Sequence, residues 1–170
     1  MTAAEKLAEL FEEYGFKHSF GIIGAGNVLL YDAIARRGFT EILAVHNEQA
    51  AAMAATYYWR TYGKLAPVLP TTGGGSANTL TGVIAAWMDS IPLLVISGNE
   101  PSKYFRDNCR VVGVQGYVSH MIPWVKYGKR VEKAEDISST LSRAIRIATQ
   151  ERPGPAWMDV PRDVQGMEVA

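Results

Sequence analysis

Short β-branched runs alternate with longer amphipathic segments along almost the whole chain, and that alternation is what repeated βαβ units look like in sequence. Parallel neighbours need a crossover of a dozen or more residues between them, usually a helix, and the spacing here provides it. Strands are expected at about Ser19–Ile23, Glu41–Val45, Ala66–Thr71, Leu93–Ser97, Val125–Arg130 and Ala156–Val160, with helices between most of them. Residues 2–14 put Ala4, Leu7, Leu10 and Phe11 at helical spacing, with Thr2 placed to cap the helix and Gly15 to end it. The expected fold is α/β, a three-layer doubly wound domain with a mainly parallel six-stranded sheet, and residues 1–170 form one domain. The stretch 99–116 has no clean periodicity and reads as a long surface loop. No internal repeat or low-complexity tract interrupts the pattern.

Composition narrows the function classes. With 48% apolar and 20% charged residues the chain is of ordinary globular type. Seventeen basic and seventeen acidic residues cancel, so no overall field recruits nucleic acid or an anionic membrane surface. The apolar stretches are too short to cross a bilayer. Cys109 is the single cysteine and cannot form an internal disulfide, and no basic stretch leading into an apolar run opens the chain. A reducing cytoplasm is therefore the expected location.

In open parallel sheets ligands bind beyond the carboxyl ends of the strands, where loops and helix N-termini converge. Four segments fall there: Gly24-Ala25-Gly26-Asn27, His46-Asn47-Glu48-Gln49, Thr71 through Asn78 with its Gly73-Gly74-Gly75 tract, and Gly98-Asn99-Glu100-Pro101. The glycine tract lets backbone approach a ligand closely, and it is equally a tight turn capped by Ser76. It lacks the Gly-Lys-Ser/Thr ending of a P-loop, and the glycines of residues 21–26 are misspaced for dinucleotide binding.

Glu48 stands between an apolar strand and an alanine-rich helix. A carboxyl group among apolar neighbours is disfavoured as an anion and can serve as a proton donor near neutral pH; a glutamate in the first turn of a helix is also simply favoured by the dipole. The residues alone leave both readings open. His46 has no second His or Cys at ligand spacing, and His18 and His120 are isolated, so no metal site built from this chain is expected. Trp87, Trp124 and Trp157 lie in apolar stretches that suit a core or an interface. The run Glu132-Lys133-Ala134-Glu135-Asp136 reads as a solvated helix start.

Several segments, in this order and spacing, resemble the N-terminal pyrimidine-binding domain of thiamine diphosphate enzymes, in particular the acetolactate synthase and acyloin synthase branch. They are Phe20-Gly21-Ile22-Ile23-Gly24 with Tyr31-Asp32-Ala33-Ile34, then Glu48-Gln49-Ala50-Ala51, Thr71 through Gly82, Met88 through Gly98, and Arg152 through Gln165. The resemblance covers nearly the whole chain. It implies that Glu48 hydrogen-bonds N1′ of the cofactor's aminopyrimidine and favours the tautomer that takes the thiazolium proton. It also implies that Thr71, Gly74 and Asn78 lie along the pyrimidine, and that Gly24 and Ala25 flank the substrate side. Gln115 matches a glutamine near the reacting substrate. The implied chemistry is decarboxylation of a 2-oxo acid, followed by protonation or attack on a second carbonyl.

The sequence departs from the family pattern at Ile22-Ile23-Gly24-Ala25, where Tyr-Pro-Gly-Gly is usual, at Gly74 in place of the proline of a Gly-Pro-Gly tract, and at Asn47 in place of a histidine. The family also needs a pyrophosphate-binding domain, whose Gly-Asp-Gly segment and following asparagine hold Mg²⁺ against the diphosphate, and a middle domain. No Gly-Asp-Gly occurs here. The chain opens on Met1 and stops soon after Pro161-Arg162-Asp163, and from this a naturally split enzyme is expected: a hetero-oligomer with a separate pyrophosphate-binding subunit that supplies the Mg²⁺ site. The alternatives are a non-catalytic structural or regulatory module attached to a complete enzyme, and a flavodoxin-like domain for another phosphate ligand.

Overall fold

A computed structural model describes residues 1–104 and 123–169. The first helix, α1 (Ala3–Glu13), starts where Thr2 and Glu5 cap one another. Thr2 Oγ1 accepts from the Glu5 amide at 3.2 Å while the Thr2 amide donates to Glu5 Oε2 at 2.9 Å, which satisfies two of the donors a helix start leaves over. This backbone hydrogen bond is the first cause holding Glu5 below the usual carboxylate range.

Next come β1 (His18–Gly21), α2 (Val28–Arg37), β2 (Glu41–Ala44), α3 (Glu48–Tyr62), β3 (Val68–Leu69), the short α4 (Gly74–Asn78), α5 (Leu80–Met88) and β4 (Leu93–Asn99). After residue 122 follow β5 (Tyr127–Arg130), α6 (Asp136–Thr149), β6 (Pro155–Pro161) and the short α7 (Arg162–Gly166). The six strands form one sheet in the order β2-β1-β3-β4-β6-β5. Every strand pair is parallel, and an isolated bridge between Thr2 and Glu168 is antiparallel.

Side chains alternate across the sheet and build a core on each face. Leu94 and Ile96 of β4 and Ala156, Met158 and Val160 of β6 pack with Leu7, Phe11, Ile34, Ile137 and Leu141 of α1, α2 and α6. Leu93, Val95 and Trp157 point the other way, with Phe20 and Val68, against the alanines of α3 and against Val83 and Ala86 of α5. Small residues bring α3 and α5 close: a Cβ on Gly82 would collide with Ala52. The expected doubly wound, three-layer arrangement is the one observed.

The expected strand limits need correction, most of all at β3. Pro67 and Pro70 flank Val68–Leu69 and have no N–H to donate, so a two-residue strand replaces the expected Ala66–Thr71. Ile22 and Ile23 fall outside β1 because the Ile22 carbonyl accepts from Asn27 Nδ2 at 3.1 Å. Strand β4 runs two residues past Ser97 to Asn99, so the first residue of the expected loop 99–116 is strand. The helix start expected in the run 132–136 begins at Asp136, and Ala134 before it is buried. Trp157 is fully buried, Trp87 is partly buried, and Trp124 is 38% exposed and outside the core. No helix among the described residues is long and apolar enough to cross a membrane.

Candidate cofactor site

The strand order reverses between β1 and β3, since β1 leads to β2 on one side and β3 leads to β4 on the other. At such a point the outgoing loops diverge and leave a crevice beyond the carboxyl ends of the strands. Three of the segments singled out in the sequence converge on this crevice: the turn 24–27, the start of α3, and residues 71–78.

Asn47 is extended and its Oδ1 accepts from the Gln49 amide at 2.8 Å. The residue that stands where the family has histidine is therefore the N-cap of α3, and it places Glu48 at the first helical position. Glu48 is 7% exposed. Asn78, at the end of α4, donates from Nδ2 to Glu48 Oε2 at 3.1 Å, the only hydrogen bond to this carboxylate among the described residues. The other oxygen faces the glycine tract. A Cβ on Gly75 would sit 2.9 Å from Glu48 Oε1 and 2.8 Å from Thr71 Cγ2, so a side chain at residue 75 would push the carboxylate aside. Gly73 has φ +57, which a β-carbon would strain, and it turns the chain into α4. Around Gly74 a Cβ would meet nothing within 4 Å.

Thr71 joins the two loops. Its Oγ1 accepts from the Gly26 amide at 3.3 Å and its carbonyl accepts from Ser76 Oγ at 2.6 Å; a Cβ on Gly24 would collide with its side chain. The turn closes on Asn27, which is fully buried: Oδ1 accepts from the Gly24 amide at 2.8 Å, and Nδ2 donates to Ile22 O and Leu69 O, both at 3.1 Å. Tyr31 donates its hydroxyl to the same Leu69 carbonyl at 3.1 Å. Burial first, and then the nearby Glu48 charge, pushes this phenol well above its ordinary range.

The structure thus brings Gly24, Thr71, Gly75, Glu48 and Asn78 into one neighbourhood, with Ala25 and Gly74 exposed beside it. Gln115, Cys109 and His120 lie outside the described residues. His46 is exposed, and His18 pairs through Nδ1 with Tyr58 Oη at 2.9 Å. Among the described residues no three His, Cys, Asp or Glu side chains gather to hold a metal.

Sequence reasoning passed over a second polar cluster, on the β4–β6 half of the sheet. Asp159, fully buried, accepts from Ser97 Oγ and from Asn99 Nδ2, each at 2.7 Å, with Arg130 Nε at 3.4 Å. Trp157 Nε1 donates to Ser97 Oγ at 2.8 Å. A lone aspartate inside the apolar run Ala156-Trp157-Met158-Asp159-Val160 was the available signal. Gln165, a polar residue near the end of the chain, is also fully buried.

Residues 1–122 match the family described as thiamine pyrophosphate enzyme, N-terminal TPP binding domain. The chain is 37% identical over 167 residues to the acetolactate synthase large subunit of Haemophilus influenzae, covering 96% of this chain and 28% of that protein. It is 34% identical to the acetolactate synthase isozyme 3 large subunit of Escherichia coli, with the same coverage of each. It is 35% identical to the probable acetolactate synthase large subunit of Methanocaldococcus jannaschii, over 99% of this chain and 28% of that one. The chain thus spans little more than a quarter of the length of these relatives. With the family match covering more than half of its residues, and with a glutamate held against a glycine tract at the strand-order reversal, this chain belongs to the thiamine pyrophosphate enzyme N-terminal domain family.

Proposed function

We propose that this chain is the pyrimidine-binding part of a thiamine diphosphate-dependent 2-oxo acid decarboxylase or carboligase of the acetolactate or acyloin synthase type. One observation carries the reading: the Glu48 carboxylate, 7% exposed, has a single hydrogen bond among the described residues and lies against Gly75, where a side chain would displace it. Such a carboxyl group, beside backbone that a flat ring can approach, suits the edge of an aminopyrimidine. When bound, thiamine diphosphate supplies the nucleophilic carbon and the electron sink for decarboxylation.

The chain's own residues hold that group and manage one proton. Glu48 would hydrogen-bond the pyrimidine N1′, and the Asn78 amide, bonded to Oε2, would hold the carboxylate in place for it. Thr71 and Gly74 line the pyrimidine, Gly24 and Ala25 flank the substrate side, and Gln115 contacts the reacting 2-oxo acid. Ile22, Ile23 and Ala25 make that side more apolar and more crowded than the usual family sequence does. The diphosphate and its Mg²⁺ are held by a separate pyrophosphate-binding subunit, in a cytoplasmic hetero-oligomer where this chain is one pyrimidine-binding domain and the pyrophosphate and middle domains lie elsewhere.

The test is to combine this chain with a pyrophosphate-domain chain, thiamine diphosphate, Mg²⁺ and a panel of 2-oxo acids, and to measure CO₂ release and carbon–carbon bond formation. Glu48→Gln is expected to lower turnover by roughly 10²–10⁴-fold, the range for loss of a positioned acid–base group. A complex that turns over none of the acids, or a variant as fast as the wild type, sinks the catalytic reading. Stable association with a full-length synthase without turnover of its own points instead to a structural or regulatory module.

A further inference from the structure

Gln165 lies on α7, beyond the last strand and far in sequence from the cofactor crevice. Its side chain is fully buried and reaches back to the first strand-end turn, where Nε2 donates to Gly26 O at 2.6 Å and to Val160 O at 2.7 Å. Both neighbours are carbonyl oxygens, which only accept, so the amide nitrogen must face them. That orientation leaves Gln165 Oε1 buried without a hydrogen-bond partner among the described residues. A buried unpaired acceptor is costly, and the fold tolerates it in order to keep the double donation.

The turn is gripped from three directions. The Gly26 amide donates to Thr71 at the end of β3, the Gly24 amide donates to Asn27, and the Gly26 carbonyl accepts from Gln165. The same carbonyl presses on β4 so closely that a Cβ on Gly98 would collide with it. Of the three grips, only the one from Gln165 comes from the far end of the chain, and it sets the direction of the Gly26 carbonyl. That carbonyl belongs to the Gly26–Asn27 peptide, so the bond anchors the end of the short turn that carries Gly24 and Ala25.

We propose that Gln165 is a positioning residue for the turn flanking the cofactor, holding the Gly26 carbonyl so that Gly24 and Ala25 present their backbone at a fixed distance from the crevice. The proposal rests on reading that turn as a wall of the cofactor site. It separates Gln165 from the other buried residues of the core, whose loss would loosen the protein as a whole.

Gln165→Met keeps the length, removes both donors and removes the orphaned acceptor. Hydrogen exchange read by mass spectrometry should speed up about tenfold in the peptide covering residues 22–29, the protection of one ordinary hydrogen bond, while peptides of β4 and α6 keep wild-type rates. In the complex with a pyrophosphate-domain chain, the dissociation constant for thiamine diphosphate should rise about tenfold. Unchanged exchange in residues 22–29, or an equal increase throughout the chain, overturns the proposal. If Gln165→Met does not fold, the wild type decides: a braced turn exchanges on the timescale of β4, and a turn exchanging as fast as the exposed Gly15 and Gly38 turns overturns it. A wild type that binds no thiamine diphosphate, with the exchange pattern as expected, refutes the functional reading and leaves the brace standing.

Discussion

Two buried carboxylates sit at the carboxyl end of the same sheet, and their surroundings differ in kind. Asp159 is fully buried and takes short hydrogen bonds from Ser97 and Asn99, with the Arg130 guanidinium nearby. Glu48 is 7% exposed, has one hydrogen bond among the described residues, and lies against Gly75. A buried charge costs free energy unless its oxygens are satisfied. Asp159 meets that condition within the fold and so belongs to its architecture. Glu48 meets it incompletely among the described residues, and the proposed contact with the aminopyrimidine would complete it.

The sharpest way to break this comparison is to delete both acids. Asp159→Ala should cost about 3–5 kcal/mol of folding stability, because it removes the buried acceptor that Ser97, Asn99 and Arg130 share. Glu48→Ala should cost about 1 kcal/mol or less. Denaturant titration of the two variants reads the difference, and equal losses would erase the distinction. A smaller effect probes the phenol that feels Glu48. Tyr31→Phe removes one of two donors to Leu69 O and should cost about 1 kcal/mol. The raised phenol contributes stability that is fully present below its ordinary value of 10.0 and is lost as pH rises above it. The variant should therefore show a flatter alkaline limb in a melting-temperature profile, and identical limbs would count against any coupling to Glu48.

The glycine wall offers a test in the opposite direction. Gly74 is the first residue of α4 and a Cβ there meets nothing within 4 Å, a position where proline is favoured. Gly74→Pro should raise stability by about 0.4–1 kcal/mol through the unfolded chain, measured as a higher denaturation midpoint. A loss would mean that the tract needs its freedom. The smallest effect belongs to Glu5, an exposed acid held below its ordinary value of 4.5 first by the Thr2 amide. Its contribution is present above that value and lost as pH falls through the folded one. Glu5→Gln should flatten the acid limb slightly, giving a baseline for an acid tied only to a helix cap.

Most of the layered fold could be read from the sequence, because strands such as β4 and β6 are buried on both faces and leave largely apolar runs, and because Thr2 and Gly15 punctuate α1 by local chemistry. Strand β3 could not be sized that way. Val68–Leu69 lies in an apolar stretch, and the prolines that shorten it act through missing donors that a hydrophobicity pattern does not register. Glu48 was visible as an acid at a helix start, but residues alone did not separate a helix-start acid from a catalytic group; the resemblance implies the second, and the geometry shows Asn47 acting as the cap. The structural roles of Asn27, Asp159 and Gln165 were not legible because each also bonds a residue far away in sequence, Leu69, Ser97 and Gly26 in turn.

The bond from Gln165 to Gly26 joins residues 139 positions apart. Closing so long a span costs chain entropy and comes late when contacts form in order of separation. As the polypeptide is synthesised from its first residue onward, strands β1 to β4 can pair while the turn beside the crevice still lacks its last restraint. If the turn is the cofactor wall proposed above, that wall is finished only when α7 has been made and docked, which would tie ligand capture to completion of the domain.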